Sequence, residues 1–287
     1  VILAGGMATR FGEVVKAAVP VIDARGFLEL KLADAAAVAG RAGARVPALV
    51  MTSFATHEEV SRLASALARP EVPVRVFSQA VSVRLTSAGA LARDEDGRPS
   101  LYAPGHGDMS FALRRTGALA EFLEGGGRTL LMSNVDNLAA TLDPAVIGAH
   151  LEGGAAVTVE VVDKVPGDRG GAPARVDGAL RLVEAFAFPS SFDQDRVPLF
   201  NTNTLVFDAA RLDRDFELTW YAVRKRAGGR EVIQFERLVG ELTAHLPSRY
   251  LRVERSGPEA RFLPVKSPEE LARRRGEIAA MLRARGS

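Results

Sequence analysis

The chain has 287 residues, of which 47% are hydrophobic and 25% are charged, a composition typical of one folded globular domain. Its formal net charge is only +2, and its short arginine runs are interleaved with acids, which indicates a solvated surface and argues against a nucleic-acid partner. The sequence contains no cysteine, which excludes disulfides, cysteine-ligated zinc and thiol nucleophiles.

The first half of the chain alternates short apolar runs with helical patterns. Strands are predicted at 1–4, 46–51, 74–77 and 129–133. Helices are predicted at 27–38, 56–68 and 111–123, the second opened by a capping box of Thr56 and Glu59. This alternation predicts a mostly parallel sheet with helices on both faces. Ligands of such sheets bind beyond the carboxyl ends of the strands.

The second half of the chain contains more strands. We predict them at 156–162, 180–186 and 199–207, with a helix at 231–245 and an exposed turn at 93–100. A final helix is predicted at about 267–285, because Ser267 can cap it, Pro268 suits its first position and Glu270 completes a capping box. No long linker interrupts the pattern, so we expect residues 1–287 to form a single catalytic domain.

A membrane location is not expected. No apolar run approaches the roughly 18 residues that a membrane span requires, and no signal-peptide pattern is visible. We therefore expect a cytoplasmic protein with no membrane partner.

A glycine-containing motif, LAGGMATRFG, follows the first predicted strand at 3–12. It differs from the phosphate-loop and dinucleotide-binding fingerprints. Gly5 and Gly6 let backbone amides approach an anion closely, and Thr9, Arg10 and Lys16 would add donors and positive charge. A plain glycine turn with surface cations is the alternative interpretation.

Two further polar motifs are candidates for substrate binding. In the segment 102–108, His106 lies between two glycines, a pattern that favours a ligand-binding loop over core packing. In 133–137, directly after a strand, Asp136 could hold Mg²⁺, which prefers oxygen ligands. A polar turn or helix cap is the alternative for the second motif.

The last two motifs are less specific. Alternation along a strand places Asn201 and Asn203 on one face, where two amides suit sugar hydroxyls. The same two amides could satisfy each other at a strand end. Lys266 follows an apolar run and could be either a phosphate-binding residue or a surface residue before the final helix.

Together, these segments resemble the UTP–glucose-1-phosphate uridylyltransferase (UDP-glucose pyrophosphorylase) family. The matching segments occur in the family's order along nearly the whole chain, and their number and order make the resemblance specific. They are 3–6, 51–58, 77–79, 104–108, 133–137, 160–164, 200–203, 231–236 and 262–266.

The resemblance implies a fold and a reaction. The fold is a Rossmann-like, GT-A-like nucleotidyltransferase α/β fold with a mixed, mostly parallel central sheet flanked by helices. The reaction is Mg²⁺-dependent transfer of a uridylyl group from UTP to a sugar 1-phosphate, here glucose 1-phosphate, with release of pyrophosphate. The sugar phosphate is already a nucleophile, so the site must position and neutralise two anions and needs no strong base.

The resemblance also implies roles for single residues. The implied nucleotide-binding residues are Leu3, Gly5, Gly6, Thr9, Gln79 and Gly105, of which Gln79 and Gly105 contact the uracil. The implied sugar-phosphate-binding residues are His106, Asn134, Gly171, Glu184 and Asn203. Asp136 would help to place the Mg²⁺, and the phosphates would be stabilised by Lys16, Arg10 and Lys266 as catalytic residues.

The chain departs from the family pattern in two places. Eukaryotic members carry a Lys-Gly-Pro-Lys segment where this chain has residues 13–17, so the register of Lys16 stays open. Those members also carry a C-terminal β-helix domain that governs assembly, and this chain ends soon after Lys266. We therefore expect a short form without that domain, and the oligomeric state is not predicted.

Other functions compete with this one. The nearest is a UDP-sugar pyrophosphorylase of broader or N-acetylhexosamine specificity, although the segment 105–108 resembles the glucose and broad-specificity enzymes more. A catalytically silent nucleotide-sugar binding protein is a second alternative, supported by the altered loop before Lys16. The sequence does not separate glucose from galactose, nor does it indicate a pathway or regulation.

Overall fold

The structure is a computed structural model that describes residues 1–285, apart from the side chain of Thr9, and it centres on a seven-stranded sheet. In chain order the strands are β1 (Ile2–Leu3), β2 (Ala48–Thr52), β3 (Val74–Ser78), β4 (Thr129–Asn134), β5 (Val157–Asp163), β6 (Leu199–Asp208) and β7 (Ser248–Arg252). Their spatial order is β7-β5-β6-β4-β1-β2-β3. Strand β6 is antiparallel to both neighbours, and the other pairs are parallel. The predicted mixed, mostly parallel sheet is confirmed.

Helices cover both faces of this sheet. They are α1 (Phe27–Ala42), α2 (His57–Leu67), α3 (Met109–Arg115), α4 (Ala118–Glu124), α5 (Pro144–Gly153), α6 (Leu242–His245) and α7 (Pro268–Arg285). Successive strand residues face opposite sides, so Val50 and Met51 of β2 enter two different cores. Val50 packs with α1, α2 and α7, whereas Met51 packs with α3, α4 and α6. None of the helices in residues 1–285 is long and apolar enough to cross a membrane.

Short strand pairs lie outside the central sheet. The larger ones are the hairpins Ala172–Val176 with Ala179–Val183 and Tyr221–Ala227 with Arg230–Glu236. Leu85–Thr86 adds a third strand to the second hairpin. The remaining pairs are Met7–Ala8 with Val14–Val15, Pro20–Ile22 with Arg25–Gly26, and Ser82–Val83 with Leu101–Tyr102. The predicted turn at 93–100 is confirmed, since residues 93–99 are exposed.

The predicted helix at 231–245 is wrong over most of its length. Arg230–Glu236 is a strand, because Gly228 and Gly229 have φ of +54° and +72° and so form the kind of two-residue turn that closes a β-hairpin. Val232 and Gln234 are buried on one face of that strand, which is the two-residue period of a sheet. Helical structure is limited to α6 and the single turn before it, Val239–Glu241.

Two other helix predictions need correction. The predicted helix at 111–123 is two helices, α3 and α4, because Gly117 has a φ of +75° and interrupts the helical hydrogen bonds of the backbone. The capping box at Thr56 is absent. Instead, the Thr56 hydroxyl accepts a hydrogen bond from the Ser53 amide at 3.1 Å and donates one to the Ala4 carbonyl at 3.1 Å. These bonds tie the start of α2 to the loop after β1.

Candidate active site

A pocket of about 370 Å³ opens at the carboxyl ends of the parallel strands β1, β2 and β4. This volume falls within the range of small-molecule sites, about 300–1,000 Å³. The position is the one expected for ligands of a parallel sheet. The residues that line it are Leu3, Gly5, Gly6, Met7, Lys16, Met51, Gln79, Ala103, Gly105, His106, Asn134, Val135 and Asp136. The structure therefore brings nine of the candidate residues into one pocket.

One wall of the pocket joins the glycine turn to Gln79. A Cβ atom at Gly5 would lie 2.4 Å from Nε2 of Gln79, so the amide of Gln79 lies directly against the Gly5 backbone. At Gly6 a Cβ atom would have no neighbour within 4 Å among the described residues, so Gly6 faces the open pocket. The Oε1 atom of Gln79 is buried and has no hydrogen-bond partner among the described residues. Buried acceptors are normally paired, so this one is suited to a ligand donor.

His106 also lines the pocket. Its Nδ1 atom accepts a hydrogen bond from the Val239 amide at 3.1 Å. An amide can only donate, so the ring proton must be on Nε2, which leaves one N–H donor. Burial lowers the pKa of His106 to about 4, although the charge of Glu236 acts in the opposite direction. The ring is therefore a neutral donor at physiological pH.

Packing explains the two glycines beside His106. Gly105 has a φ of +88°, and a Cβ atom there would lie 2.9 Å from the Arg237 carbonyl oxygen. A Cβ atom at Gly107 would lie 2.4 Å from the carbonyl carbon of Arg237 and 2.4 Å from the Leu238 nitrogen. Gly107 is therefore needed because two backbone segments touch there.

The charged groups of the pocket are Lys16 and Asp136. The Nζ atom of Lys16 lies 2.5 Å from Oδ2 of Asp136, and the two side chains are 15% and 16% exposed. Within residues 1–285 there is no cluster of three or more histidine or carboxylate side chains that could enclose a metal ion. A single carboxylate still fits Mg²⁺, which is usually bound through one or two carboxylates together with substrate phosphates.

Lys266 and Arg10 are not among the described lining residues. Lys266 is exposed, but its neighbour Val265 donates its amide to the Asp136 carbonyl at 3.1 Å, so the segment runs beside the metal-binding candidate. Arg10 is exposed on the short helical turn Thr9–Phe11. The side chain of Thr9 lies outside the part of the chain that the structure describes.

Asn137 holds the Lys266 segment in place. Its side-chain oxygen accepts from the Leu263 amide at 2.8 Å, and its Nδ2 donates to the Arg261 carbonyl at 3.2 Å. Asn137 is only 1% exposed, so both bonds are shielded from water. These two bonds hold the backbone of Arg261 and Leu263, just before Lys266, against the loop after β4.

The asparagines of β6 are arranged by a bulge. The pairing of β5 with β6 shifts between Glu160 and Val161, and Asn203 has a φ of +55°. The simple alternation predicted for Asn201 and Asn203 therefore does not apply. Instead, the side-chain oxygen of Asn201 accepts from the Asn203 amide at 3.0 Å.

Asn203 connects this bulge to the pocket. Its Nδ2 atom donates to Oδ1 of Asn134, a lining residue, at 3.1 Å. Behind the bulge, the Gly171 carbonyl accepts from the Asn201 amide at 2.9 Å. A Cβ atom at Gly171 would lie 3.0 Å from Oε1 of Glu184. Gly171, Glu184 and Asn203 are therefore neighbours of the pocket and not part of its lining.

Glu184 is the carboxylate of this second group of residues. Burial raises its pKa, and the nearby charge of Glu241 acts in the same direction. Its side chain is half-buried. Its carboxyl oxygens can accept hydrogen bonds, which suits a ligand rich in hydroxyl groups.

A buried charge network supports the loop after β4, and the motifs did not reveal it. The guanidinium of Arg261 donates to Glu160 at 2.8 and 2.6 Å and to the Thr141 carbonyl at 3.0 Å. The ammonium of Lys31 donates to the Ala140 carbonyl at 2.6 Å, and burial lowers the pKa of Lys31 to about 7. The available signal was an acid, Glu160, in the buried interior of a largely apolar strand.

The chain resembles known proteins over most of its length. The model of the UTP–glucose-1-phosphate uridylyltransferase family matches residues 1–281. The enzyme of that name from Encephalitozoon cuniculi is 30% identical over 282 residues, which cover 94% of this chain and 56% of that protein. The one from Saccharomyces cerevisiae is 27% identical over 288 residues, covering 94% and 57%. The chain thus spans a little over half the length of these relatives.

Solved structures agree on the fold. The UDP-glucose phosphorylase of Trypanosoma brucei superposes with a TM-score of 0.80 at 24% identity, covering 96% of this chain and 64% of that one. The UDP-N-acetylglucosamine pyrophosphorylase of the same organism gives a TM-score of 0.75 at 22% identity, covering 95% and 64%. Because the family model matches residues 1–281, the chain belongs to the UTP–glucose-1-phosphate uridylyltransferase family.

Proposed function

We propose that the chain is a uridylyltransferase that forms UDP-glucose and pyrophosphate from UTP and glucose 1-phosphate. The observation that carries the proposal is the convergence of Gln79, His106 and the Lys16–Asp136 pair on one pocket at the carboxyl ends of parallel strands. The names of its family relatives describe the same activity.

In this proposal the uridine lies against the wall that the glycine turn and Gln79 form together. The uracil ring has one N–H donor flanked by two carbonyl acceptors. The unpaired Oε1 of Gln79 can accept a hydrogen bond from that donor. The side-chain nitrogen of Gln79 can donate a hydrogen bond to one of the carbonyls. Leu3, Gly5, Gly6 and Gly105 line the same pocket. Thr9 is retained as a nucleotide-binding candidate.

The sugar phosphate lies on the His106 side. The Nε2–H group of His106 is the donor available to a phosphate or hydroxyl oxygen. Asn134 and Asn203, joined by a hydrogen bond of 3.1 Å, present amide groups next to it. Gly171 and Glu184 extend this polar surface behind the bulge.

The reaction needs alignment and charge compensation. An oxygen of the sugar phosphate attacks the α-phosphorus of UTP, and the bond to pyrophosphate breaks, so no proton has to be removed from the nucleophile. Lys16 places positive charge inside the pocket, and we propose that Lys266 and Arg10 add charge from its edge. Mg²⁺, with Asp136 as a protein ligand, would neutralise phosphate charge when bound.

Two further parts of the proposal concern the whole chain. We propose that the chain acts as one catalytic domain and that it is cytoplasmic, with small-molecule partners. Fractionation of the source cells tests the location. Assay of the chain by itself tests whether this domain is sufficient.

The test of function is pyrophosphate release with UTP, Mg²⁺ and a panel of sugar 1-phosphates. The panel includes glucose, galactose and N-acetylglucosamine, because one fold neighbour is named for N-acetylglucosamine. The proposal predicts release with glucose 1-phosphate, and little when ATP or GTP replaces UTP. Release only with N-acetylglucosamine 1-phosphate would show the alternative specificity. UTP binding without release from any sugar would show a silent binding protein.

A further inference from the structure

Arg237 contacts the loop that carries His106 and, through Asp108, is connected to the loop that carries Gln79. Its guanidinium lies over the Phe111 ring, 3.9 Å from the centroid, and over the Trp220 ring at 4.3 Å. Its Nη2 atom donates to Oδ1 of Asp108 at 2.5 Å. The Arg237 side chain is 13% exposed and that of Asp108 is 0% exposed. Two ring contacts and a buried ion pair hold the guanidinium in one position.

Asp108 connects Arg237 to the loop that carries Gln79. Its second carboxylate oxygen, Oδ2, accepts from the Ala80 amide at 2.7 Å. Ala80 directly follows Gln79, so the carboxylate fixes the backbone from which the Gln79 amide extends into the pocket. A second cation, Arg115, is farther away, at 3.8 Å from Oδ2. Arg237 is therefore the closer counter-charge of this buried carboxylate.

The backbone around Arg237 fixes the His106 loop. The Arg237 amide donates to the Pro104 carbonyl at 2.8 Å, and its carbonyl accepts from the Gly107 amide at 2.9 Å. Two residues later, the Val239 amide bonds to the ring of His106. One short segment, 237–239, thus determines the path of the His106 loop and the tautomer of its histidine.

We infer that Arg237 is a positioning residue of the nucleotide pocket, which through Asp108 holds Gln79 and through its own backbone holds His106. This inference rests on the proposed function, because it takes UTP as the ligand. Neither Arg237 nor Asp108 is among the described residues that line the pocket. Arg237 therefore acts on the ligand through other residues.

Arg237→Met and Arg237→Lys test the inference. Arg237→Met removes the positive charge. Arg237→Lys keeps the charge but lacks the planar guanidinium. Loss of the charged donor leaves the Asp108 carboxylate, and with it the Ala80 amide, less firmly held, so Gln79 loses its fixed position. We expect Arg237→Met to raise both Kd and KM for UTP by about tenfold or more, with a smaller change in kcat. Arg237→Lys should show a smaller increase in the same two constants.

The matched control is Arg114→Met. Arg114 pairs with Asp213 and Asp215 and is not among the described lining residues, so its loss should leave Kd for UTP within about twofold. A purely structural role of Arg237 would lower the folded fraction, and so the apparent kcat, without changing Kd or KM. Unchanged Kd and KM in a folded Arg237 variant would overturn the inference, and Arg237→Lys decides if Arg237→Met does not fold. Absence of UTP binding by the unsubstituted chain would instead overturn the proposed function.

Discussion

The ammonium of Lys16 lies 2.5 Å from the carboxylate of Asp136, although the two residues are 120 positions apart in the sequence. The pair joins the loop after the glycine turn to the loop after β4. Each charge compensates the other within the lining of the pocket. In the proposed reaction, substrate phosphates and a divalent cation would compete for the same two groups, so the pair would link nucleotide binding to cation binding.

Replacement of Lys16 by methionine should separate these two effects. We expect kcat to fall by about 10²–10³-fold, the usual loss when one electrostatic stabiliser is removed. Without nucleotide, Lys16→Met should bind Mn²⁺ more tightly, because the ammonium no longer neutralises Asp136. Titration calorimetry measures the second effect independently of turnover. Equal Mn²⁺ affinity in both proteins would show that Lys16 does not compete for Asp136.

Lys266→Ala should lower turnover without unfolding the chain. Lys266 is exposed, and its backbone amide, which donates to Glu270 at 2.7 Å, is retained in the variant. We expect the free energy of unfolding to change by less than about 0.5 kcal/mol. If Lys266 neutralises phosphate charge, kcat should fall by about 10²-fold.

Lys225→Ala is the matched control for Lys266, because Lys225 is an exposed lysine of the hairpin that pairs with Glu236 at 3.6 Å. Its turnover should equal that of the unsubstituted chain. Unchanged turnover in Lys266→Ala would remove Lys266 from the site.

His106 should make stability depend on pH. Its pKa is lowered from 6.5 to about 4 by burial, so the unfolded chain binds more protons than the folded chain between these values. The free energy of unfolding should therefore decrease as the pH falls from 6.5 towards 4. His106→Asn keeps an acceptor for the Val239 amide but cannot titrate, so its stability should decrease less over this window. Urea unfolding at several pH values measures the difference between the two proteins.

The same variant tests the proposed role of His106 in binding. Asparagine shortens the side chain and removes the Nε2–H donor. We therefore expect the KM for glucose 1-phosphate to rise more than the KM for UTP. A change in stability alone, with both KM values unchanged, would show that His106 only supports the loop.

A pair of alanine substitutions should separate ligand-facing from packing glycines. Gly107→Ala places a Cβ atom 2.4 Å from the Arg237 backbone and should lower the free energy of unfolding by about 3 kcal/mol. Gly6→Ala meets no described neighbour within 4 Å, so stability should stay within about 0.5 kcal/mol. Its Cβ atom faces the pocket, and Kd for UTP should rise by about tenfold. Equal UTP affinity in Gly6→Ala would place the nucleotide elsewhere.

The sequence predicts the parts of the site that follow strands. Gly5, Asn134 and Asp136 come directly after short apolar runs, and the carboxyl ends of parallel strands meet at one edge, so their convergence follows from a local pattern. Arg237 could not be found in this way. Its contacts with Asp108 and Phe111 depend on how the hairpin before it packs, and the second strand of that hairpin was itself predicted as part of a helix.

Buried charge was equally hidden from the sequence. Arg261 and Glu160 are 101 positions apart, and neither belongs to a motif that predicts a partner for the other. The bulge in β6 was also not visible in the sequence. The positive φ of Asn203 depends on how β6 pairs with β5. Local patterns thus predict elements and loop ends, whereas long-range pairs become visible only in the folded chain.

We propose that this pocket joins UTP to glucose 1-phosphate. The most direct measurement is to incubate the chain with UTP, Mg²⁺ and isotopically labelled glucose 1-phosphate and to separate the products. We predict labelled UDP-glucose and an equal amount of pyrophosphate, both strongly reduced in Lys16→Met. If a folded chain that binds UTP forms no labelled UDP-sugar, that result would contradict the proposed activity.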